Sequence, residues 1–234
     1  MSTERTSAFR ALAAGGDATI RAAVEIRSHD DWMGGDPPRE LLAAATLPEC
    51  DPESPVVALI REWEREPMGR ALVAAYEGER DPRTKERTAW LIKQAPEPTL
   101  WPELRALAAS ESGPVLARRY IIEALDRLAF GRVIGEPELA PLIEHLQHHR
   151  EPSLREATAG LLMSLPDSPS KTDALIRLLS DSDGGVICVA AAALRHTTVG
   201  RERILRRRID ELLWHPNAAV RGYAQDLAAS LDEG

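Results

Sequence analysis

The chain has 234 residues, of which 44% are hydrophobic and only 4% aromatic, so a sizeable core can form without disulfides or metals and helices are favoured over sheets. Its formal net charge of −8 argues against general affinity for nucleic acid or anionic membranes, because both attract positively charged surfaces. The two cysteines, Cys50 and Cys188, lack any C-x-x-C motif, which predicts a reduced cytoplasmic protein.

Acidic residues are concentrated in the N-terminal third. Residues 1–80 contain 15 acidic residues and nine Arg, a balance of −6 that leaves −2 of the total for the rest of the chain. Residues 1–16 have no apolar core of signal-peptide length. The longest apolar run, residues 186–194, is shorter than the roughly 20 residues that a membrane helix needs.

The first 38 residues predict two short helices and a loop. Helical spacing of apolar residues covers 2–14 and 17–28, and residues 28–38 concentrate glycine, proline and aspartate. Trp32 and Met33 lie in this loop. We interpret them as a plug packed on the first helices, the alternative being an exposed contact.

Helices then follow one another closely, over 39–47, 54–66 and 67–79. Beyond residue 80 a short segment recurs. In each copy an acidic residue, an amide or a glycine lies in a turn, three places before the position at which an apolar stripe begins. The spacings between its aligned positions are 32, 38, 32 and 34 residues, which indicates an internal repeat. Those positions are Thr84, Leu116, Leu154, Val186 and Val220.

Each repeat also supplies a second helix, predicted over 98–110, 136–149, 169–181 and 200–214. The 38-residue interval has its extra length around 130–137, where two glycines and a proline predict a longer turn. One helix pair cannot bury its own apolar stripe, so neighbouring pairs are expected to stack around a continuous core.

The clearest copy of the repeat is 215–227, in which Asn217 opens the helix and a Val-Arg pair ends at Arg221. This segment resembles the first helix of a HEAT repeat. The resemblance covers 81–234 and extends to 39–80, with armadillo and other helical solenoids as alternatives. The tetratricopeptide pattern fits less well, since its Trp, Leu-Gly and Tyr positions do not recur.

The resemblance implies an all-α fold, a right-handed α-α superhelix of about 13 to 14 helices in a single domain. Residues 1–38 would form N-terminal helices and a loop, and 39–234 one continuous repeat array. In the HEAT family the Arg of the Val-Arg pair bridges to acids of the next repeat. Arg155 and Arg221 match that position and Lys85 matches it less well.

The densest basic run, residues 201–208, lies on a predicted second helix. Second helices line the inner surface of HEAT arrays, so arginines here would present a positive concave patch to an acidic partner. The alternative is a solvated face with salt bridges. The candidate residues are Arg203, Arg206, Arg207, Lys171 and Arg177.

The tryptophans do not recur at one repeat position, and we expect them to pack in the core or at hinges. An exposed Trp101 would instead be a binding anchor, because aromatic side chains carry much of the binding energy of interfaces. The five are Trp32, Trp63, Trp90, Trp101 and Trp214.

His145 and His149 are four residues apart, a spacing at which two imidazoles can share a metal ion. A zinc hydrolase would have Glu directly after the first His, where this chain has Leu146. Imidazoles also suit the negative end of a helix. We prefer that interpretation and predict no metal and no cofactor.

No nucleophile elbow, phosphate-binding loop, dinucleotide-binding loop or calcium loop occurs in the sequence. We therefore predict a non-catalytic scaffold, adaptor or inhibitor, a monomer whose concave surface binds another protein with an acidic surface. A bacterial immunity or regulatory protein is one possibility. The alternative is an enzyme on the same scaffold, similar to DNA alkylation-repair glycosylases or to bilin lyases.

Overall fold

The computed structural model describes residues 3–12, 14–29, 32–33, 35–47, 50–195, 197 and 202–232, with the side chains of residues 3, 5, 6, 202–204 and 232 outside the description. Within these ranges the chain is helical and has no strand, which confirms the all-α prediction. None of these helices is long and apolar enough to cross a membrane.

Fourteen α-helices lie in the described ranges, a number that agrees with the predicted 13 to 14. Most observed helices end a few residues inside the predicted spans, and a 3-10 turn, Pro98–Leu100, precedes the seventh. The helices are α1 Thr3–Leu12, α2 Gly16–Arg27, α3 Arg39–Ala45, α4 Pro55–Glu62, α5 Arg65–Gly78, α6 Pro82–Gln94, α7 Trp101–Ala109, α8 Val115–Phe130, α9 Glu136–Leu146, α10 Pro152–Ser164, α11 Pro169–Leu178, α12 Gly184–Leu194, α13 Glu202–Leu212 and α14 Ala218–Asp232.

The chain forms two compact units, residues 1–104 with 112–124 (unit 1) and residues 105–111 with 125–234 (unit 2). In unit 1, α4 packs against α2, α3, α5 and α6, while α1 packs against α2 and α3. In unit 2, the first helices α10, α12 and α14 pack in sequence, and α9, α11 and α13 pack against them. The predicted boundary at residue 38 stays a prediction.

Trp63 and Trp32 anchor the N-terminal part of unit 1. Trp63 has extended backbone (φ −61°, ψ 156°) and therefore ends α4 at Glu62, four residues before the predicted end. Its indole nitrogen donates to the carbonyl of Gly35 at 2.8 Å. Trp32 is buried and stacks on the ring of His29, 4.2 Å between centroids. The plug interpretation is thus confirmed for Trp32.

A side chain in the turn before several first helices accepts the backbone N–H two residues further on. The donor–acceptor distances lie between 2.8 and 3.1 Å. Each of these turn acceptors stands five residues before an aligned repeat position, so the structural and sequence periods agree. The turn acceptors are Glu79, His149, Asp181 and His215.

Three of the four helix starts that follow are capped as predicted, whereas Glu151 makes no side-chain cap bond at the start of α10. The Asp81 carboxylate accepts from the backbone N–H of Thr84 at 2.8 Å, and Asp183 does the same for Gly185 at 2.9 Å. Asn217 caps α14 through the backbone N–H of Ala219. These bonds satisfy amides that have no partner inside the helix.

The predicted bridge between repeats forms at Arg155. Its Nε and Nη2 donate to the two carboxylate oxygens of Asp181 at 2.6 and 2.7 Å, and its Nη1 donates to the carbonyl of His149 at 2.7 Å. At the two other candidate positions, Arg221 binds the carbonyl of His215 and Lys85 lies over an aromatic ring. Of these three described residues, only Arg155 forms the predicted bridge to an acid of the next repeat.

Both members of the Arg155–Asp181 pair are largely buried. Burial raises the pKa of Asp181, but the hydrogen bonds from Arg155 and from backbone N–H groups lower it by more, so it lies below the ordinary value. A depressed carboxyl pKa means that the folded state favours the ionised form. The pair therefore stabilises the fold above the pKa of an unfolded aspartate.

We predict that Asp181→Asn lowers the free energy of unfolding at pH 7 by about 3 kcal/mol, because Arg155 is left without its charge partner. The difference from wild type should shrink as the pH falls below about 4, because the aspartate is then protonated in the unfolded chain, and it is lost as the pH falls through the lower folded-state pKa. Urea unfolding followed by circular dichroism at pH 7 and pH 3 measures both values. Asp226→Asn, at an exposed pair with Arg195, is the control and should change stability by less than about 1 kcal/mol.

Gly69 in α5 permits a close approach that a larger residue would prevent. A Cβ at this position would lie 2.5 Å from the Cβ of Glu97, which is buried. At Gly160 in α10, by contrast, nothing lies within 4 Å of the added atom.

We predict opposite outcomes for the two Ala substitutions. Gly160→Ala should stabilise the protein by about 0.5 to 1 kcal/mol through helix propensity. Gly69→Ala should destabilise it by about 1 to 3 kcal/mol through overpacking. Thermal unfolding of both variants beside wild type provides the comparison, and equal stabilisation by the two substitutions would contradict the packing at Gly69.

Candidate functional site: a groove on α6 and α8

The predicted concave patch is only partly available at the surface. Lys171 is buried with 4% of its surface exposed, and its ammonium donates to the carbonyl of Leu165 at 2.7 Å and to Asp167 at 3.2 Å. Its assignment to an exposed patch is therefore wrong. Arg177 is half exposed, and its guanidinium donates to the side-chain oxygen of Gln147.

The arginines of α13 divide between structural and exposed roles. Arg208 donates to the carbonyl of Leu179 and thereby caps the end of α11. Arg206 is exposed, and its guanidinium donates to the carbonyl of Leu231. The Arg207 side chain is 88% exposed. The side chain of the remaining candidate, Arg203, lies outside the described residues.

The tryptophans also differ from one another. Trp101 is half-buried, so it is not the fully exposed anchor considered from the sequence. Trp214 is 88% exposed, and the expectation of core or hinge packing is wrong at this position. Trp214 lies two residues after the end of α13, in the turn that leads to α14. Trp90 is half-buried and lies in the groove described below.

Glu111 faces both histidines of the predicted metal spacing. Its Oε1 lies 3.6 Å from Nε2 of His145 and 3.3 Å from Nε2 of His149. His149 Nδ1 accepts the backbone N–H of Glu151, so a neutral His149 carries its proton on the Nε2 that faces the carboxylate. No group of three His, Cys, Asp or Glu able to hold a metal ion is found in the described part of the chain.

A groove of about 300 Å³ runs along α6 and α8 within unit 1. Its α6 residues stand at i, i+3, i+4 and i+7, and its α8 residues at i and i+4, so each set forms one stripe on its helix. Pro52 closes one end. The helical residues that line the groove are Arg83, Glu86, Arg87, Trp90, Leu116 and Tyr120.

Arg87 is fixed in position at the wall of the groove. Its Nε donates to the carbonyl of Ala45, the last residue of α3, at 3.0 Å. Its guanidinium carbon lies 3.9 Å from the centre of the Trp90 ring, a cation–π contact. Its Nη2 is buried and has no hydrogen-bond partner among the described residues. Arg87 thus holds the indole in one orientation while its positive charge stays beside the groove.

The α8 side of the groove is apolar. Leu116 is exposed and Tyr120 is half-buried. The ammonium of Lys93 lies 5.4 Å from the Tyr120 ring centre and 2.5 Å from a carboxylate oxygen of Glu123. Because Lys93 and Glu123 neutralise each other, the charges that remain at the groove are two arginines and Glu86, a balance of +1.

The sequence contains a signal for this groove that the predictions from residue patterns did not include. Arg83, Arg87 and Trp90 share one face of α6, and a basic stripe leading to an aromatic residue is a common composition of interface centres. Pairing with Leu116 and Tyr120 could not be anticipated, because it requires α6 and α8 to lie side by side.

The sequence matches no family model and no curated protein. Among solved structures, an engineered protein is similar with a TM-score of 0.58 and 17% identity, over 100% of both chains. YIBA_ECOLI, an Escherichia coli protein, has a TM-score of 0.58 and 14% identity over 100% of this chain and 80% of its own. A designed armadillo repeat protein in complex with a (KR)4 peptide has a TM-score of 0.46 and 15% identity, over 98% of this chain and 99% of its own.

At these identities the likeness concerns the fold and not the activity. It extends over the whole chain and agrees with the observed order of helices, the absence of strands in the described ranges and the recurring turn acceptors. Together these observations identify an all-α helical-repeat fold.

Proposed function

We propose that this protein is an interaction module whose groove on α6 and α8 binds a segment of another protein. The observation that carries the proposal is the convergence of Trp90, Tyr120, Leu116 and two arginines on one cavity of about 300 Å³. Aromatic residues and arginine are enriched at the centres of protein interfaces, where they fill pockets and exclude water.

The groove residues also indicate the chemistry of the bound segment. An aliphatic or aromatic side chain fits the apolar wall made by Trp90, Leu116 and Tyr120. Arg83 is exposed at the rim, and the guanidinium of Arg87 is held beside it. A carboxylate next to the apolar side chain would complement this positive edge. The proposed ligand is therefore a peptide segment with an acidic residue beside a bulky apolar one.

This proposal keeps the predicted role of scaffold, adaptor or inhibitor. It places the binding surface on α6 and α8, which are first helices of their repeats, and not on the second helices. The exposed arginines of α13 stay a prediction, as do the cytoplasmic location and the monomeric state. We propose no enzymatic function, because no arrangement of the described residues favours the glycosylase or lyase alternative.

The proposal is tested by selecting a displayed library of random 12-residue peptides on the full-length protein, with counter-selection on the Leu116→Glu variant. The expected result is enrichment of peptides that carry Asp or Glu next to Leu, Phe or Trp. The proposal is wrong if no peptides are enriched, or if the enriched peptides bind wild type and Leu116→Glu equally well.

For an enriched peptide we predict that Leu116→Glu raises the Kd at least about tenfold, because it places a charge on the apolar wall and repels the acidic residue of the peptide. Fluorescence anisotropy of the labelled peptide measures the Kd. Met163→Glu is the matched control, since Met163 is exposed to a similar extent, 47% against 41%, on α10 of unit 2. It should leave the Kd unchanged within about twofold.

A double-mutant cycle tests the charge assignment. Arg83→Gln in the protein and Glu→Gln or Asp→Asn in the peptide should each weaken binding, and together they should weaken it by less than the sum. The expected coupling is about 0.5 to 1 kcal/mol at low salt, as is usual for exposed ion pairs. Additive effects would show that the carboxylate binds elsewhere.

A further inference from the structure

One first helix is longer than its neighbours in the sequence. Helix α8 has 16 residues, whereas α6 and α10 have 13 each. Measured from the aligned repeat positions, α8 ends four residues later than the other two, which adds about one helical turn. This added turn lies in the 38-residue interval that the sequence singled out. Its last residue, Phe130, is 79% exposed.

The chain beyond this turn is firmly held. Arg132 adopts a left-handed conformation with φ 57°, and the backbone N–H of Val133 donates to the carbonyl of Leu128 at 2.9 Å. Ile134 is buried and anchors the return of the chain. Phe130 and Val133 nevertheless face the solvent. Insertions in repeat proteins often form binding surfaces, and a rigid loop that exposes two apolar side chains fits that use.

Two exposed arginines, Arg127 and Arg132, flank the exposed ring. We call residues 127–133 the Phe130 knob. Its chemistry is an aromatic ring with positive charge on either side, and the surface that complements it is an apolar cavity with carboxylates at its rim.

Unit 1 contains such a cavity. It has a volume of about 300 Å³ and lies where α2 and α4 begin and α3 ends. Its rim carries three exposed carboxylates, and no Lys or Arg is among the described residues that line it. We call it the acidic cavity. Its apolar lining includes Ile20, Ala44, Leu47, Cys50 and Val56, and its carboxylates are Asp17, Asp51 and Glu53.

We infer that the Phe130 knob of one molecule inserts into the acidic cavity of a second copy. The ring of Phe130 would lie on the apolar lining, and Arg127 and Arg132 would face the carboxylates of the rim. The occupant is assigned to a second copy because the chain itself contains both complementary surfaces. The inference is independent of the groove on α6 and α8 and revises the predicted monomeric state.

The two surfaces differ, so each molecule in such a contact keeps one knob or one cavity unoccupied. A heterologous contact of this kind continues into rings or open chains. One inserted ring with its flanking charges buries less surface than the roughly 1,200 Å² of a stable interface. The association is therefore weak and depends on protein concentration.

Sedimentation equilibrium of the full-length protein between about 10 µM and 1 mM tests the inference, a range that covers weak contacts. The weight-average mass of wild type should rise with concentration. Phe130→Ser should lower the association constant at least about tenfold, while Met163→Ser, a control at another exposed apolar residue, should behave as wild type. Circular dichroism verifies that the variants are folded.

Complementation distinguishes this contact from any other self-association. Ile20→Lys, at an exposed position lining the cavity, introduces a positive charge opposite the knob arginines. This variant and Phe130→Ser should each remain monomeric alone, and their mixture should form one-to-one dimers and nothing larger. The inference is overturned if wild type stays monomeric at 1 mM, if Phe130→Ser associates like wild type, or if the mixture stays monomeric.

Discussion

The turn that precedes each first helix is the constraint on which the rest of the structure depends. A helix start exposes amides that need acceptors, and these turns lie between packed helices. Ahead of α12 the chain supplies two such acceptors. Asp181 accepts the backbone N–H of Asp183 in the turn, and Asp183 in turn accepts the backbone N–H of Gly185 at the helix start. Asp181 also binds Arg155 of the preceding repeat. One carboxylate therefore fixes both the turn and the stacking of α10 on α12.

Once stacking is secured by these turns and by the buried apolar stripes, the remaining positions are free to differ between repeats. That freedom explains why the surface features follow no repeat. The positions in α10 that correspond to Arg87 and Trp90 are occupied by Ala157 and Gly160, and Phe130 occupies a turn that the neighbouring first helices lack. Function in a repeat protein is expected at such departures from the repeat, since the residues shared by all repeats pack the helices against one another.

The burial of individual side chains did not always follow from their residue type. Lys171 has the charge expected of a binding surface, but its ammonium satisfies the carbonyl of Leu165 inside unit 2. Trp214 has the apolar character of a core residue and is exposed. Burial of a long or aromatic side chain depends on which neighbouring backbone groups and surfaces surround it, and the local sequence does not contain that information.

The sequence by itself determined the helical class, the repeat register and the caps, because helix periodicity and capping act over a few neighbouring residues. The resemblance to HEAT repeats offered Arg155 and Arg221 alike as bridging arginines, and the structure shows the bridge at Arg155. Only the tertiary structure decided the groove between α6 and α8, the burial of Lys171 and the exposure of Trp214. The groove depends on residues more than 20 positions apart in the chain, such as Arg87 and Leu116, and side chains at that separation meet only after the helices have packed.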